Sequence, residues 1–291
     1  MPKCEELLEK CGNLCDLHAH THFSDGSLSP TELVKLAESV GLGAIALTDH
    51  NSIAGVPELL IAAREEGIHA IPGIEFSTDF RGTELHVIAL GVTEDMYERI
   101  NALVDGVREE KRLAMDKLIS DLIAAGYKIE PERIYSGVKG IVNRAHVATE
   151  LVRCGYATDR SDAFERILYS GGPFYKEPKY TDTVECISFI KSLGAVSVLA
   201  HPFLNIDEAT LRELLDLTRG SLDAIEVIYS EYDDETTELS RKIADEYGLL
   251  YSGGSDFHGK NKPDIGLGCG KGNLRIPLSF AEKMNLLEEK L

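Results

Sequence analysis

The chain lacks several features that would assign it to common classes. It has no apolar stretch near the roughly 18 residues that a membrane-spanning helix needs, and residues 1–6 lack the apolar core of a signal peptide. Basic residues are also few, since 30 Lys and Arg stand against 49 Asp and Glu, for a formal charge of −19. A large nucleic-acid surface needs basic stripes. We therefore expect no such surface, no membrane partner and a cytoplasmic location.

Cysteine is scarce as well. The six cysteines form no dense framework, and the spacing of Cys4, Cys11 and Cys15 matches no common zinc or iron–sulfur pattern. We expect reduced thiols, with Cys15 on a strand and Cys154 and Cys186 on helices, packed as small hydrophobic side chains.

What the chain does contain is a regular alternation of strand and helix signals. Its 291 residues are enough for one large α/β domain or for a barrel with an inserted subdomain. Ser29 followed by Pro30 predicts the start of the first helix. Strands are predicted at 14–18, 44–47, 69–74, 84–90, 195–199, 224–227 and 249–252, with helices at 56–66, 208–219 and 234–247. Seven parallel-type strands with helices between them predict an α/β barrel.

Residues 93–182 interrupt this alternation, because they carry long helical patterns at 97–125 and 143–154 and few strand signals. We expect a barrel formed by 1–92 and 183–291, with 93–182 as a helical insert that contributes to the substrate site. The insert has 14 Lys and Arg against 16 Asp and Glu, so its net charge is −2 and that of the remainder is −17. This relatively basic segment suits a lid over an anionic ligand, and an ordinary helical insert fits the pattern equally well.

Histidines and carboxylates recur at or near the ends of the predicted strands. The residues that follow predicted strands are His18, His20, His50, Glu75, His201 and Asp256, and further clusters of the same kind contain His86 and His258. In a parallel barrel the carboxyl ends of the strands open on one face, so we expect these side chains to converge there. Two histidines two residues apart on a strand point to the same side and suit one ion. Imidazole and carboxylate are ligands that Zn, Mn and Fe share, so the set predicts a metallohydrolase with several divalent ions.

These motifs resemble those of the PHP (polymerase and histidinol phosphatase) superfamily. They are Asp16-Leu17-His18-x-His20 with Ser24-Asp25-Gly26, Thr48-Asp49-His50, Gly73-Ile74-Glu75, His86, His201 and Ser255-Asp256-x-His258. The likeness covers nearly the whole chain, and it implies a distorted (β/α)7 barrel and a metal-dependent phosphoesterase. Arg144-Ala145-His146 in the insert, followed by Gly171-Gly172-Pro173-Phe174-Tyr175, is similar to the subgroup of 3′,5′-nucleoside bisphosphate phosphatases and 5′→3′ exoribonucleases.

The resemblance also implies three divalent ions, which would be Mn, Zn or Fe. The first would be held by His18, His20, Glu75 and Asp256, the second by Glu75, His86 and His146, and the third by Asp25, His50 and His258. His201 and Asp256 would act in catalysis, with His201 contacting the phosphate or protonating the leaving oxygen. Arg144, Tyr175 and Lys176 would help to bind the substrate. Lys176 is also where the chain departs from the subgroup, which usually has an apolar residue there.

The expected activity is hydrolysis of nucleotide phosphate esters, above all removal of the 3′-phosphate from nucleoside 3′,5′-bisphosphates, with 5′→3′ trimming of short RNA in addition. The closest alternative is a histidinol-phosphate phosphatase, but Arg144-Ala145-His146 and the insert favour a nucleotide substrate. A non-catalytic module of the same superfamily is a second alternative, although such modules lose metal ligands and none is missing here. A general amidohydrolase-like zinc enzyme also fits the ligand chemistry, yet it would normally use a carbamylated lysine or another ligand spacing.

Overall fold

The computed structural model describes residues 13–136, 138, 142–169, 171–176 and 178–287. Residues 1–6, Cys4, Cys11 and Glu177, on which some expectations rest, lie outside these ranges. Among the described residues, the strands are β1 (Cys15–Asp16), β2 (Ala44–Leu47), β3 (His69–Phe80), β4 (Thr83–Leu90), β5 (Thr181–Asp182), β6 (Val196–Ala200), β7 (Ala224–Tyr229) and β8 (Leu250–Gly254). The helices are α1 (Pro30–Ser39), α2 (Val56–Glu66), α3 (Tyr97–Ala124), α4 (Pro131–Tyr135), α5 (Arg144–Arg153), α6 (Arg160–Arg166), α7 (Thr183–Leu193), α8 (Glu208–Leu217), α9 (Asp234–Tyr247) and α10 (Ser279–Lys283).

The strands form one mixed sheet that curves into a nearly closed barrel, which confirms the expected α/β barrel. Their order is β1-β2-β3-β4-β6-β7-β8, and the short β5 pairs with β3. The strands at both ends of this order pair in parallel, whereas β4 is antiparallel to β3 and to β6. Backbone hydrogen bonds link the two ends of the sheet: the Leu17 amide donates to the Gly253 carbonyl, the Asp256 amide to the His18 carbonyl and the His20 amide to the Phe257 carbonyl.

The direction of β4 corrects the expectation of seven parallel strands. Arg81 and Gly82 connect β3 to β4 as a two-residue turn, and both have positive φ, 55° and 84°. Such turns match the twist of two antiparallel strands, so the chain folds back as a hairpin without a crossover helix. The alternation of apolar residues over 84–90 indicates a strand but carries no information on its direction.

Helix boundaries follow the sequence signals closely. Ser29 caps α1, because its hydroxyl accepts the Glu32 amide while the Glu32 carboxylate accepts the Ser29 amide, and Pro30 is the first helical residue. Helices α2 and α9 occupy the predicted ranges, 56–66 and 234–247. Throughout the described part of the chain, every helix is too short or too polar to cross a membrane.

The buried apolar side chains of the described residues form two groups. The larger group lies around the barrel strands and their flanking helices. The smaller is drawn from residues 115–175, on α3 to α6 and the segments that join them. Helix α3 contributes side chains to both groups: Ile100 and Val104 to the first, and Leu118 and Leu122 to the second. We propose that the expected inserted unit at 93–182 has its own core, which begins within α3.

The four cysteines in the described part of the chain are in two states. Cys15, Cys154 and Cys186 are free thiols, as expected, and Cys15 and Cys186 are fully buried. The expectation is wrong for Cys269, which is disulfide-bonded.

Gly254 permits the close approach of β8 to the segment after β1. A Cβ atom at this position would lie 2.1 Å from His18 Cβ and 2.9 Å from Glu226 Oε1, and both neighbours are fully buried.

We predict that Gly254→Ala lowers the free energy of unfolding by about 1–3 kcal/mol, the usual loss from overpacking, as measured by chemical denaturation. Gly106→Ala is the control, because an added Cβ in the middle of α3 has no atom of the described residues within 4 Å. It should raise the stability by up to about 1 kcal/mol, and equal effects of the two changes would contradict this account.

Candidate metal centre

The fully buried side chain of Glu75 lies at the centre of a cluster of imidazoles. Five ring nitrogens lie 2.9–3.3 Å from its two oxygens: those of His18, His86 and His201 from Oε1, and those of His20 and His50 from Oε2. One carboxylate therefore faces donor atoms from five positions along the chain.

Two further carboxylates extend this cluster. The Asp256 Oδ1 atom is 3.2 Å from His20 Nε2 and 3.3 Å from His258 Nδ1. The Asp25 Oδ1 atom is 3.0 Å from His258 Nε2 and 3.8 Å from His50 Nε2. His258 thus joins both acids to the histidines around Glu75.

The barrel explains why residues so distant in sequence meet here. His18 and His20 follow β1, and His50, which follows β2, forms a backbone bridge with Glu75. Glu75 itself lies inside β3, which continues to Phe80. His86 lies inside β4, opposite Ala200, the residue before His201. Because β4 is antiparallel, its start, and not its end, lies on the same face as the carboxyl ends of its neighbours.

Three non-glycine residues of this face have a backbone conformation that L-residues rarely adopt. Asn51, His201 and Asp256 have φ angles of 48°, 28° and 55°. Their surroundings hold them in place: the His201 amide donates to Glu226 Oε2, at 2.8 Å, and the Asp256 amide donates to the His18 carbonyl, at 2.9 Å. Backbone strain of this kind persists where the rest of the structure enforces it, and it is concentrated at functional sites.

Glu226 on β7 orients two histidines of the cluster, and sequence reasoning missed it. Its Oε1 is 3.1 Å from His18 Nδ1, while its Oε2 accepts the His201 amide. A carboxylate at Nδ1 keeps the proton on that nitrogen, which leaves the lone pair of His18 Nε2 directed at the centre of the cluster. Carboxylates that support metal-binding histidines commonly have this arrangement.

Two other buried acids hold the loops that carry the cluster. Asp49 accepts hydrogen bonds from the Thr21 amide, the Thr21 hydroxyl and the Ser24 hydroxyl, at 2.7, 2.6 and 2.6 Å. These bonds fix the loop that leads to Asp25. Asp16 accepts the amides of Ser255 and Gly268, at 2.9 and 2.8 Å, and so fixes the loop after β8.

The buried carboxylates control the pKa values of the imidazoles. Burial alone would lower the pKa of His20 and His86, but the acids prevail: Asp256 and Glu75 raise the pKa of His20 to about 9, and Glu75 and Glu84 raise that of His86 to about 10. At His50 burial prevails and lowers the pKa to about 4. Burial would raise the pKa of Glu75, yet the histidines, above all His18, hold it well below its usual value. The buried carboxylates are therefore stabilised by positive charge nearby. Divalent ions supply that charge when they displace protons from the imidazoles.

Several donor atoms of the cluster are better placed to bind a common ion than to form hydrogen bonds with one another. Four donor atoms are buried and have no hydrogen-bond partner among the described residues: Nδ1 of His50, Nδ1 of His86, Oε2 of Glu75 and Oδ1 of Asp25. His50 Nδ1 and Glu75 Oε2 are 2.9 Å apart, but their geometry is not that of a hydrogen bond. Leaving such groups unsatisfied costs about 1–3 kcal/mol each, so their convergence indicates a missing common partner.

The donor atoms form four sets, each within 4.8 Å. They are His20, Asp25, His50 and His258; His18, His20 and Asp256; His18, Glu75 and His201; and His50, Glu75 and His86. Imidazole nitrogen with carboxylate oxygen is the donor chemistry of Zn, Mn and Fe sites. The residues present therefore fit the metals that the sequence predicts.

The sets contain eight of the nine expected ligands, and they differ from the expectation at His146 and His201. His146, on α5, belongs to none of the sets found among the described residues, and its Nδ1 is instead 2.7 Å from Asn143 Oδ1. Asn143 in turn donates to Asp25 Oδ2, at 2.8 Å. His201, which the resemblance assigns to catalysis, lies beside Glu75 where a ligand is expected. His201 follows β6, as the other members of the sets follow or lie in strands, whereas His146 lies on a helix.

A cleft of about 610 Å³ opens above the cluster, between the barrel and helices α3, α5 and α6. Its lining includes Arg144 and Tyr175, and the Arg144 guanidinium lies 4.0 Å above the Tyr175 ring. Lys176 is exposed and is not part of the lining. Three further cations of the lining were missed from sequence because they belong to no motif: Lys111, Arg160 and Lys262. The relatively basic composition of the insert was the one signal for two of them.

The chain is similar to known proteins over most of its length. Residues 16–168 match the PHP domain family. The chain is 34% identical to a 5′-3′ exoribonuclease from Haemophilus influenzae, over 84% of this chain and 89% of that one. It is 29% identical to a 3′,5′-nucleoside bisphosphate phosphatase from Chromobacterium violaceum, over 86% and 90%. A crystal structure from Bifidobacterium adolescentis, assigned to the metal-dependent phosphoesterases, has a TM-score of 0.83 at 27% identity and covers 95% of this chain and 97% of its own.

The different surroundings of His201 and His146 predict different effects on metal binding. We expect His201→Asn to weaken the binding of at least one ion by more than about 100-fold, the upper end of the loss seen for supporting residues. His146→Asn, the matched control, should leave the metal content unchanged because its ring lies outside the four donor sets. Elemental analysis after dialysis against a metal buffer measures both. The reverse result would restore the ligand set that the sequence resemblance implies.

Proposed function

We propose, since the chain belongs to the PHP domain family of metal-dependent phosphoesterases, that it removes the 3′-phosphate from nucleoside 3′,5′-bisphosphates. The products would be the nucleoside 5′-monophosphate and phosphate. We propose 5′→3′ trimming of short RNA as a second activity, which the likeness to the Haemophilus influenzae exoribonuclease supports.

The observation that carries this proposal is the concentration of cations around the cleft of an acidic protein. Lys111, Arg144, Arg160 and Lys262 line the cleft, whereas the chain as a whole has a formal charge of −19. A volume of about 610 Å³ is within the range of roughly 300–1,000 Å³ that is typical of small-molecule sites. A compact substrate with more than one phosphate fits both the charge and the size.

The charge of the lining also argues against histidinol phosphate. That substrate carries an ammonium group beside its single phosphate, and the four cations of the lining outnumber its two carboxylates, Asp25 and Glu84. A bisphosphate carries no such group, and its second phosphate gains from the same charges.

We propose that the cluster holds three divalent ions of Mn, Zn or Fe, with one change from the ligands that the sequence implies. The proposed sets are His18, His20, Glu75 and Asp256; Glu75, His86 and His201; and Asp25, His50 and His258. The first two combine members of different donor sets, and the second rests on the contacts of His86 and His201 with Glu75 Oε1, at 2.9 and 3.3 Å. When bound, such ions supply positive charge that attracts the phosphate and stabilises charge developing on its oxygens. The acid role expected for His201 is not part of this proposal, because its Nε2 lies 3.3 Å from Glu75 Oε1.

Arg144 is proposed to hold the phosphate that does not react. Its guanidinium stacks on Tyr175 and donates to the Leu168 carbonyl, at 3.3 Å. These contacts hold a planar, permanently charged group in the cleft wall, which reduces the entropy lost when it binds a phosphate. Lys176 lies outside the lining, so it is left out of the proposed binding set.

Phosphate release from a panel of substrates tests the proposal. The panel contains adenosine 3′,5′-bisphosphate, 3′- and 5′-AMP, histidinol phosphate and a short 5′-phosphorylated RNA, each assayed with Mn²⁺. We expect kcat/KM for the bisphosphate to exceed that for either AMP by at least about tenfold, the effect of one additional charge-assisted hydrogen bond.

Glu75→Gln, prepared in parallel, should hydrolyse none of the substrates and so reveals any contaminating phosphatase. A preference for histidinol phosphate would refute the nucleotide assignment. Metal-loaded, folded protein that hydrolyses no member of the panel would refute it as well.

A further inference from the structure

We propose, building on the proposed nucleotide phosphatase activity, that Lys262 binds the reacting phosphate and makes the enzyme favour phosphate monoesters over diesters. Lys262 lies in the loop after β8, four residues beyond His258, and belongs to none of the sequence motifs. Its role follows from three features: its contact with Asp256, its exposure to the cleft and the anchoring of its loop.

The two oxygens of Asp256 have different partners. Oδ1 faces His20 and His258, as described above. Oδ2 accepts a hydrogen bond from the Tyr229 hydroxyl, at 2.8 Å, and another from Lys262 Nζ, at 2.6 Å. Oδ2 is therefore occupied, and Oδ1 is the oxygen that remains for an ion. One carboxylate group therefore separates the Lys262 ammonium from the donor atoms of the cluster, and both Lys262 and His258 line the cleft.

Lys262 also reaches the cleft. Its side chain is 39% exposed, whereas that of Asp256 is 8% exposed, and Lys262 contributes to the cleft lining. A lysine ammonium has three N–H donors, and the contact with Asp256 uses one of them. The remaining donors are available to an anion that enters the cleft beside the cluster.

The loop that carries Lys262 is anchored on both sides of the cleft. On the barrel side, the Lys260 amide donates to the Ser27 hydroxyl and the Asn261 side chain donates to the Asp25 carbonyl, both at 2.8 Å. On the helical side, the Arg160 guanidinium donates to the Asn261 carbonyl. These bonds fix the backbone directly before Lys262, so its ammonium is held near the cluster before any substrate arrives.

Two other cations of the cleft, Lys111 and Arg144, have different surroundings. Lys111 Nζ donates to Ser77 Oγ, at 2.8 Å, and burial lowers the pKa of Lys111. Arg144 is stacked on Tyr175, on α5 of the helical part. Within the described cleft lining, Lys262 is the cation that donates to a carboxylate of the proposed metal ligands, and we infer that it would contact a phosphate bound there.

The charge of the substrate then decides how much this contact contributes. At pH 8 a phosphate monoester carries two negative charges and three non-bridging oxygens, whereas a diester carries one charge and two such oxygens. A fixed cation attracts the dianion more strongly, in proportion to its charge, and finds an additional acceptor on it. Lys262 should therefore favour removal of a terminal phosphate over cleavage of an RNA linkage.

The test compares Lys262→Met with the natural protein on two aryl esters that have the same leaving group. These are para-nitrophenyl phosphate, a monoester, and bis(para-nitrophenyl) phosphate, a diester, assayed with Mn²⁺ at pH 8. We expect kcat/KM for the monoester to fall by about 10- to 100-fold, the effect of one charge-assisted hydrogen bond, and that for the diester to fall by less than about threefold. Lys262→Arg keeps the charge and should recover most of the monoester activity.

Lys260→Met is the matched control, because Lys260 is an exposed lysine of the same loop and does not line the cleft. It should change neither activity. Equal losses on both esters in Lys262→Met, or no loss on either, would overturn the proposal. A fall in bound metal in that variant would also overturn it, because Lys262 would then support Asp256 as a ligand instead of contacting phosphate. If the natural protein fails on adenosine 3′,5′-bisphosphate but the monoester-to-diester ratio still changes, only the nucleotide assignment fails.

Discussion

The structure depends on the burial of one carboxylate, that of Glu75, among five imidazoles. A buried carboxylate is stable only when positive charge or hydrogen bonds surround it, and the unpartnered atoms beside Glu75 show that its neighbours alone do not suffice. Other features of the barrel face place histidines around this carboxylate. Strand β3 extends past Glu75, the hairpin brings His86 back beside it, and Glu226 turns His18 toward it. The strained backbone at His201 and Asp256 is the cost of completing the cluster.

Much of the fold could be predicted from local signals. Ser29 with Pro30 marks the start of α1, and the ranges of β2, α2 and α9 agree with the predicted ones. The direction of β4 could not be read from apolar alternation, since direction is set by the Arg81–Gly82 turn and by the pairing of β4 with β6. The disulfide-bonded state of Cys269 was also missed, because pairing depends on distance in the folded chain and not on sequence spacing.

The candidate site was predictable where chemistry and strand ends coincide, as at His18, His20 and Asp256. Where the assignment followed a motif alone, at His146, the folded geometry differs, because that ring closes the N-terminal cap of α5 with Asn143. Residues whose role is to contact or position other site residues could not be recognised from sequence patterns. Glu226 lies within an apolar strand, and Lys262 is one lysine in a polar loop, so their positions beside His18 and Asp256 emerge only from the fold.

The central claim is that Glu75 is a shared ligand of more than one divalent ion. Elemental analysis of the natural protein and of Glu75→Gln, both reconstituted with Mn²⁺ or Zn²⁺ and shown to be folded by circular dichroism, tests it most directly. The account predicts about three equivalents of metal in the natural protein and the loss of about two of them in the variant, because an amide is a far poorer ligand than a shared carboxylate. Less than about one equivalent in the folded natural protein, or full metal content in the variant, would contradict it.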